Sequence, residues 1–168
     1  MTYLTERLNS SHNRKGFNCG KITLDNYLHH QANQDIKRKL SICFVLNDKK
    51  TNLIQAYYTL ANNSIHKDQI IEKIKNKLPK SYSSIPTTLL GRLAVDRKFQ
   101  GQGIGKIMLI DALKRSFDLS KNIGSFAVVV DPLDNEAEDF YGKFGFIKLP
   151  DSGKMFLAMK TIKQLFEK

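Results

Sequence analysis

Apolar residues in the first half of the chain fall into one helical pattern and one alternating pattern. The segment GKITLDNYLHHQANQDIKRKL has apolar residues three and four positions apart, which predicts a helix with Thr23 as its cap. The segments SICFVL and LIQAYYTL predict two strands, joined in a hairpin by the turn NDKKTN. A short helix, DQIIEKIKNKL, follows and ends before Pro79.

Strands and helices then alternate towards the carboxyl end. The apolar runs TTLLGRLAV and SFAVVVD predict buried strands, with a helix from about Ile104 to Asp118 between them. DNEAEDFYGKF predicts a helix capped by Asp134, and GFIKL and KMFLAMK predict closing strands before a short tail helix. This order predicts a mixed α/β fold in a single domain over residues 1–168.

Composition places the chain among ordinary soluble proteins, with 41% hydrophobic and 26% charged residues. No apolar run is long enough for a membrane span and no secretory leader is evident, so we expect a cytoplasmic protein without membrane contact. Its two cysteines predict reduced thiols and no metal site, and the four histidines are interpreted as surface residues. The net charge is +11, and most of the excess lies in the first ninety residues, which favours an anionic partner.

The stretch VDRKFQGQGIGK places glycines at every second position between a predicted strand and a predicted helix. The dinucleotide motif G-x-G-x-x-G fails, because its third glycine falls on Lys106 or Met108. The nucleotide P-loop also fails, because Lys106 is followed by Ile107 in place of Ser or Thr. The remaining pattern, Q-x-x-G-x-G, lets successive backbone N–H groups bind one diphosphate at the start of a helix.

LLGRLAVDRKFQGQGIGKIMLIDAL resembles the central motif of the GNAT superfamily of acyl-CoA N-acyltransferases, and EAEDFYGKFGF resembles the motif that follows it. The resemblance implies a GNAT fold: a mostly antiparallel twisted sheet, with a parallel pair splayed at the acetyl-CoA site and helices on both faces. It also implies acetyl-CoA as cosubstrate. The implied cofactor-binding residues are Leu93, Ala94, Val95, Gln100, Gly101, Gln102, Gly103, Ile104, Gly105 and Lys106.

Acetyl transfer to an amine needs a neutral nucleophile, a stabilised oxyanion and a proton for the departing thiolate. Backbone N–H groups of the strand before the glycines are candidates for the oxyanion. Tyr141 occupies the position of the family's catalytic tyrosine and is the candidate general acid, since a phenol with a pKa of about 10 is protonated at neutral pH. No general base stands out, and the α-amine of an aminoacyl ester is weakly basic enough to react without one.

The segments FNCGKITLDNYLHHQA, FVL and IPTTLLGRLAVD further resemble the GNAT toxins of bacterial toxin–antitoxin pairs. This implies acetylation of aminoacyl-tRNA, a block of translation and a cognate DNA-binding antitoxin, and it leaves a homodimer open. Arg38 and Arg92 are candidate tRNA contacts. Two alternatives remain: a GNAT enzyme acting on a protein or small-molecule amine, and a non-catalytic module that binds CoA or nucleic acid.

Overall fold

The computed structural model describes residues 2–167. Its strands are β1 (Glu6–Arg7), β2 (Ile42–Asn47), β3 (Ile54–His66), β4 (Ser84–Val95), β5 (Ala127–Val130), β6 (Ile147–Lys148) and β7 (Met155–Ala158). Its α-helices are α1 (Ile22–Asn26), α2 (Ala32–Lys37), α3 (Glu72–Lys75), α4 (Ile104–Ser120), α5 (Asn135–Lys143) and α6 (Met159–Phe166). None of the helices in this part of the chain is long and apolar enough to cross a membrane.

Within the described residues, seven strands form one sheet in the order β1-β2-β3-β4-β5-β7-β6. Strands β1 and β2, β2 and β3, β5 and β7, and β6 and β7 pair antiparallel. Strands β4 and β5 pair parallel, from Thr88 opposite Val128 to Leu90 opposite Val130. The predicted fold class, a mostly antiparallel sheet with one parallel pair, is confirmed.

The chain divides into two compact units, each with its own core. The first contains Met1–Ala61 and Gly91–Arg115, and the second contains Asn62–Leu90 and Ser116–Lys168. The core of the first unit contains three aromatic residues in contact: Phe17 meets Tyr57 edge to face, and Tyr57 stacks on Tyr27. Aliphatic residues dominate the core of the second unit, which includes Ile65, Ile85 and Val129 together with Phe156.

The first predicted helix is present but is not a uniform α-helix. A π-helical turn at Tyr27–Gln31 separates α1 from α2. The predicted cap at Thr23 is wrong, because Lys21 occupies the cap position and contributes no side-chain hydrogen bond. The carboxylate of Asp25, in the first turn of α1, instead accepts a hydrogen bond of 2.8 Å from the backbone N–H of Cys19. This bond ties the segment before the helix to its first turn.

Of two further helix predictions, one is wrong in the length of the helix and the other is confirmed at its cap. The segment DQIIEKIKNKL is a 3-10 turn at Lys67–Gln69 and a single helical turn, α3, in place of one longer helix. The cap predicted at the start of α5 is confirmed, because the carboxylate of Asp134 accepts a 2.9 Å hydrogen bond from the N–H of Ala137.

A buried carboxylate on α4 fastens the amino-terminal segment to this helix. Asp111 is 5% exposed and accepts hydrogen bonds from the N–H of Leu4 at 2.8 Å, from Thr5 Oγ1 at 2.5 Å and from the Tyr58 hydroxyl at 2.8 Å. Arg115 Nε donates to the same Tyr58 hydroxyl at 3.0 Å. Because buried polar groups are costly without partners, this network fixes the position of α4 within the first unit.

Candidate functional site

Two of the three glycines in the Q-x-x-G-x-G stretch have the backbone conformation that the sequence predicts. Gly101 has φ +76° and Gly103 has φ +79°, the left-handed region that side chains disfavour. A Cβ atom added at either glycine would find nothing within 4 Å. Gly105, by contrast, lies inside α4, which begins at Ile104. The result is an open bend of backbone that leads directly into the N-terminus of a 17-residue helix.

The side chain of Gln100 holds the start of this bend. Its Nε2 donates to the carbonyl of Val95, at the end of β4, at 2.8 Å and to the carbonyl of Cys19 at 2.9 Å. The amide nitrogen of Gln100 therefore links the end of the strand to a distant loop. This geometry gives Gln100 a role in shaping the bend, while its contact with a cofactor stays a prediction.

A second set of contacts docks the loop at residues 18–20 on the segment before the glycines. Asp96 is 5% exposed, and its two carboxylate oxygens accept from the N–H groups of Asn18 and Lys98, both at 2.9 Å. The N–H of Arg97 donates to the carbonyl of Asn18 at 2.8 Å. A Cβ at Gly20, which has φ +91°, would lie 3.0 Å from the Arg97 guanidinium, so a glycine suits this close approach.

The strand before the bend runs past its parallel partner. The ladder between β4 and β5 stops at Leu90 and Val130, whereas β4 continues to Val95. The predicted cofactor residues Leu93, Ala94 and Val95 are the last three residues of this extension. Ala94 is buried and the two flanking residues are half-buried, as expected for alternating strand positions.

The remaining predicted cofactor residues lie in and after the bend. Gln102 is exposed, and its Nε2 approaches the carbonyl of Lys98 at 3.4 Å. Ile104 is half-buried in the first turn of α4, and Lys106 is exposed there. Lys106 is therefore positioned to add a positive charge near the start of the helix.

Tyr141 lies in α5 of the second unit and is 7% exposed. Its ring contacts Phe140 and Phe146, with a centroid separation of 5.3 Å in both cases. Within residues 2–167 its hydroxyl has no protein hydrogen-bond partner, and the hydroxyl oxygen is not among the fully buried polar atoms, so a ligand can reach it. Burial raises the pKa of Tyr141 well above its ordinary value of 10. The phenol is thus a proton donor at neutral pH with an unused hydrogen bond.

The two predicted tRNA contacts differ in their surroundings. Arg38 is exposed at the end of α2. Arg92 is half-buried on β4, and its guanidinium carbon lies 3.5 Å from the centroid of the Tyr27 ring. Sequence reasoning placed Arg92 beside the cofactor strand but missed the aromatic ring under it, since 65 residues of chain separate the two.

Other ionisable groups give no sign of catalysis. Burial raises the pKa of the Cys19 thiol to about 11 and that of Cys43 to about 12, so neither thiol is a nucleophile at neutral pH. Glu138, in the same helix as Tyr141, forms an ion pair with Lys148. Among the described residues, no group of three or more His, Cys, Asp or Glu is arranged to hold a metal ion.

The interpretation of the histidines as surface residues is wrong for His12 and holds only in part for His29, which is half-buried with its Nε2 shielded from solvent. His12 is buried, where its Nε2 lies 2.9 Å from a carboxylate oxygen of Glu6 and its Nδ1 accepts from the N–H of Asn9. Its contacts are structural, because they tie together the loop that follows β1. Among residues 2–167, no hydrogen bond or ion pair joins His12 to the glycine bend or to Arg92, and we assign it no chemical role.

Comparison with known proteins identifies the family. Residues 40–148 match the family model described as an acetyltransferase (GNAT) domain. The tRNA-acetylating toxin of Mycobacterium tuberculosis is 32% identical over 160 residues, which cover 95% of this chain and 93% of that protein.

Solved structures of toxins are similar over nearly the whole chain. A Tyr-to-Phe mutant of KacT has a TM-score of 0.91 at 28% identity, covering 96% of this chain and 98% of the other. AtaT complexed with acetyl-methionyl-tRNAfMet has a TM-score of 0.88 at 27% identity, with the same coverage. A Tyr-to-Phe mutant of AtaT, bound to the C-terminus of the antitoxin AtaR and to acetyl-CoA, has a TM-score of 0.82 at 25% identity and covers 98% of both chains. The chain belongs to the GNAT acetyltransferase family.

Proposed function

We propose that this protein is the toxin of a toxin–antitoxin pair and transfers acetyl from acetyl-CoA to the α-amino group of aminoacyl-tRNA, which blocks translation. The observation that carries the proposal is the similarity, over 95% of the chain, to a protein named for tRNA acetylation. The solved complex of AtaT with acetyl-methionyl-tRNAfMet supports the same substrate class. The open glycine bend supports a diphosphate-bearing acetyl donor.

Acetyl-CoA supplies an activated acetyl group as a thioester. The backbone N–H groups from Gly101 to Lys106 are suited to its diphosphate, because the two positive-φ glycines leave the space above the bend open. The backbone of Leu93–Val95 extends beyond the partner strand and is suited to pair with the pantetheine arm. An N–H group of this extension also serves as the candidate oxyanion donor.

Tyr141 acts as the general acid in this proposal. The amine nitrogen forms a bond to the acetyl carbon, the carbon–sulfur bond breaks, and the phenol gives its proton to the departing sulfur. The hydroxyl, which has no protein hydrogen-bond partner among residues 2–167, supports this role. Burial raises the pKa of Tyr141, so the phenol holds its proton over the whole working pH range and transfers it only as negative charge develops on the sulfur. The amine loses its extra proton to water, water returns a proton to the Tyr141 phenolate, and no side chain is assigned as base.

The substrate side rests on positive charge. The net charge of +11 supports binding of an anionic macromolecule, and phosphate contacts by Arg38 and Arg92 would make the reaction sensitive to salt. An antitoxin with a DNA-binding domain and an acidic or amphipathic tail is the expected cellular partner, which the complex of AtaT with the C-terminus of AtaR supports. A cytoplasmic location is consistent with such a substrate.

The proposal is tested by incubating the purified protein with labelled acetyl-CoA and total aminoacyl-tRNA. We expect label on the aminoacyl group, released with the amino acid by mild alkali, and none on deacylated tRNA. Label on protein or polyamines in a mixed extract, with none on aminoacyl-tRNA, would select the alternative GNAT substrate. Binding of acetyl-CoA without any transfer would select the non-catalytic alternative.

A further inference from the structure

Arg92 is a half-buried cation that stacks on an aromatic ring and finds no protein acceptor among residues 2–167. Its guanidinium carbon lies 3.5 Å from the centroid of the Tyr27 ring. Within residues 2–167 it makes no ion pair and donates no hydrogen bond to the protein. A guanidinium has five N–H donors in one plane, and those of Arg92 are not among the fully buried polar atoms, so they are accessible to a ligand. The aromatic contact covers one face of the group and leaves the N–H groups at its edge for a ligand.

The ring beneath Arg92 is itself firmly held. The Tyr27 hydroxyl donates to Asp35 Oδ2 at 3.1 Å, and Asp35 is 9% exposed. The Tyr27 ring stacks on Tyr57 with an interplanar angle of 20°, and the Tyr57 hydroxyl donates to the Leu24 carbonyl at 2.6 Å. Burial raises the pKa of Tyr27 to about 12, so its phenol remains a neutral donor. Tyr27 also begins the π-helical turn, a feature frequent at functional sites.

The position of Arg92 along β4 narrows the choice of ligand. Arg92 lies two residues beyond Leu90, where the pairing with β5 stops. Strand geometry places it about 10 Å before Val95, and the glycine bend lies further on. The diphosphate of acetyl-CoA is thus assigned to the bend. Arg92 lies next to Leu93–Val95, the part of β4 assigned to the thioester end of acetyl-CoA. The amine must reach the thioester at this end.

We propose that Arg92, supported by Tyr27, binds a phosphodiester at the acceptor end of aminoacyl-tRNA and so positions the α-amine for transfer. This inference rests on the function proposed above. A planar guanidinium with a free edge matches the two unesterified oxygens of a phosphodiester. The aminoacyl ester and its ribose carry no negative charge, so the phosphodiester before the terminal adenosine is the nearest anion to the amine. Tyr27 acts as a positioning residue, because it holds the guanidinium without meeting the substrate.

The test compares two minimal substrates that differ by one phosphodiester and the cytidine it carries: aminoacyl-adenosine, and the aminoacyl ester of cytidylyl-adenosine. For the wild-type protein we expect kcat/KM to be at least tenfold higher for the dinucleotide ester. Arg92→Gln should reduce this ratio to near one without changing the Kd for acetyl-CoA. Arg92→Lys keeps the charge but loses the planar array of N–H donors. We therefore expect the logarithm of its kcat/KM ratio for the two substrates to be less than half of the wild-type value.

Matched variants separate binding from folding. Arg7→Gln removes an exposed arginine of the same unit and should leave the ratio unchanged. Tyr27→Phe keeps the ring and should keep the preference, whereas Tyr27→Leu should lose it while circular dichroism still reports a folded protein. With intact aminoacyl-tRNA, the slope of log kcat/KM against log salt should fall by about 0.7 in Arg92→Gln.

Several outcomes would overturn the inference. Equal loss of rate on both minimal substrates, or an unchanged ratio in Arg92→Gln, would show that Arg92 does not bind the phosphodiester. A weaker Kd for acetyl-CoA in this variant would assign Arg92 to the cofactor. If the minimal esters do not react, an unchanged salt slope on aminoacyl-tRNA decides against the inference. Failure of the wild-type protein to acetylate aminoacyl-tRNA at all would reject the proposed function, a result distinct from these.

Discussion

Replacing Gly103 by alanine separates the backbone role of the glycine bend from its role in binding. Gly103 has φ +79°, and an added Cβ would meet nothing within 4 Å, so the change introduces backbone strain without a clash. The left-handed conformation costs alanine about 1–2 kcal/mol, and the lower entropy of the unfolded chain offsets about 0.4–1 kcal/mol of this. We therefore expect the free energy of unfolding to fall by about 1 kcal/mol, which shifts Tm by about 2–4 °C.

Gly153 provides a matched control for this experiment. It has φ +70° and equally open surroundings, but it lies between β6 and β7, away from the bend in the sequence. Gly153→Ala should cost the same stability and leave the affinity for acetyl-CoA unchanged. In Gly103→Ala the methyl group occupies space that we assign to the diphosphate, so calorimetric titration should show a Kd at least tenfold higher, or about 1.4 kcal/mol. Equal affinities in the two variants would refute the assignment.

Three further variants or treatments test other parts of the site. Tyr141→Phe should bind acetyl-CoA normally but lose most of its turnover, and normal turnover in this variant would remove the acid role. Because burial raises the pKa of Tyr141, the wild-type rate should not decline between pH 7 and pH 9.5. Gln100→Ala removes two hydrogen bonds worth about 1 kcal/mol each. Calorimetry should therefore show a Kd for acetyl-CoA roughly fivefold or more above wild type. An unchanged Kd would mean that the bend holds its shape without these two hydrogen bonds. Cys19 and Cys43 should react slowly with iodoacetamide at pH 8, because their thiol pKa values are raised to about 11 and 12; rapid alkylation of the native protein, followed by mass spectrometry, would contradict their burial.

Local signals in the sequence predicted the elements and the bend well. Apolar spacing identifies the strands and helices because each has its own period, and glycines at alternate positions predict the open backbone at Gly101 and Gly103. The cap at Asp134 was also predictable, because a capping side chain bonds to a backbone N–H only three residues away. These features depend on neighbours in the sequence, so a single chain contains the information.

Long-range contacts around the bend were not predictable from the same sequence. Asp96 bonds to Asn18 across 78 residues, and Gln100 bonds to Cys19 across 81 residues. A single sequence has no periodic or local signal for such pairs, so the docking of the loop at residues 18–20 was missed. The stack of Arg92 on Tyr27 was missed for the same reason, since 65 residues of chain separate the two.

The central claim is that backbone N–H groups of the glycine bend bind the diphosphate of acetyl-CoA. It is tested most directly by backbone amide NMR of the labelled protein during titration with acetyl-CoA and, separately, with acetyl-pantetheine, which lacks the diphosphate. We predict that the amide signals of Gly101, Gly103 and Gly105 are among those that shift most with acetyl-CoA and that they stay in place with acetyl-pantetheine. Binding of acetyl-CoA that leaves these three signals unmoved would contradict the claim.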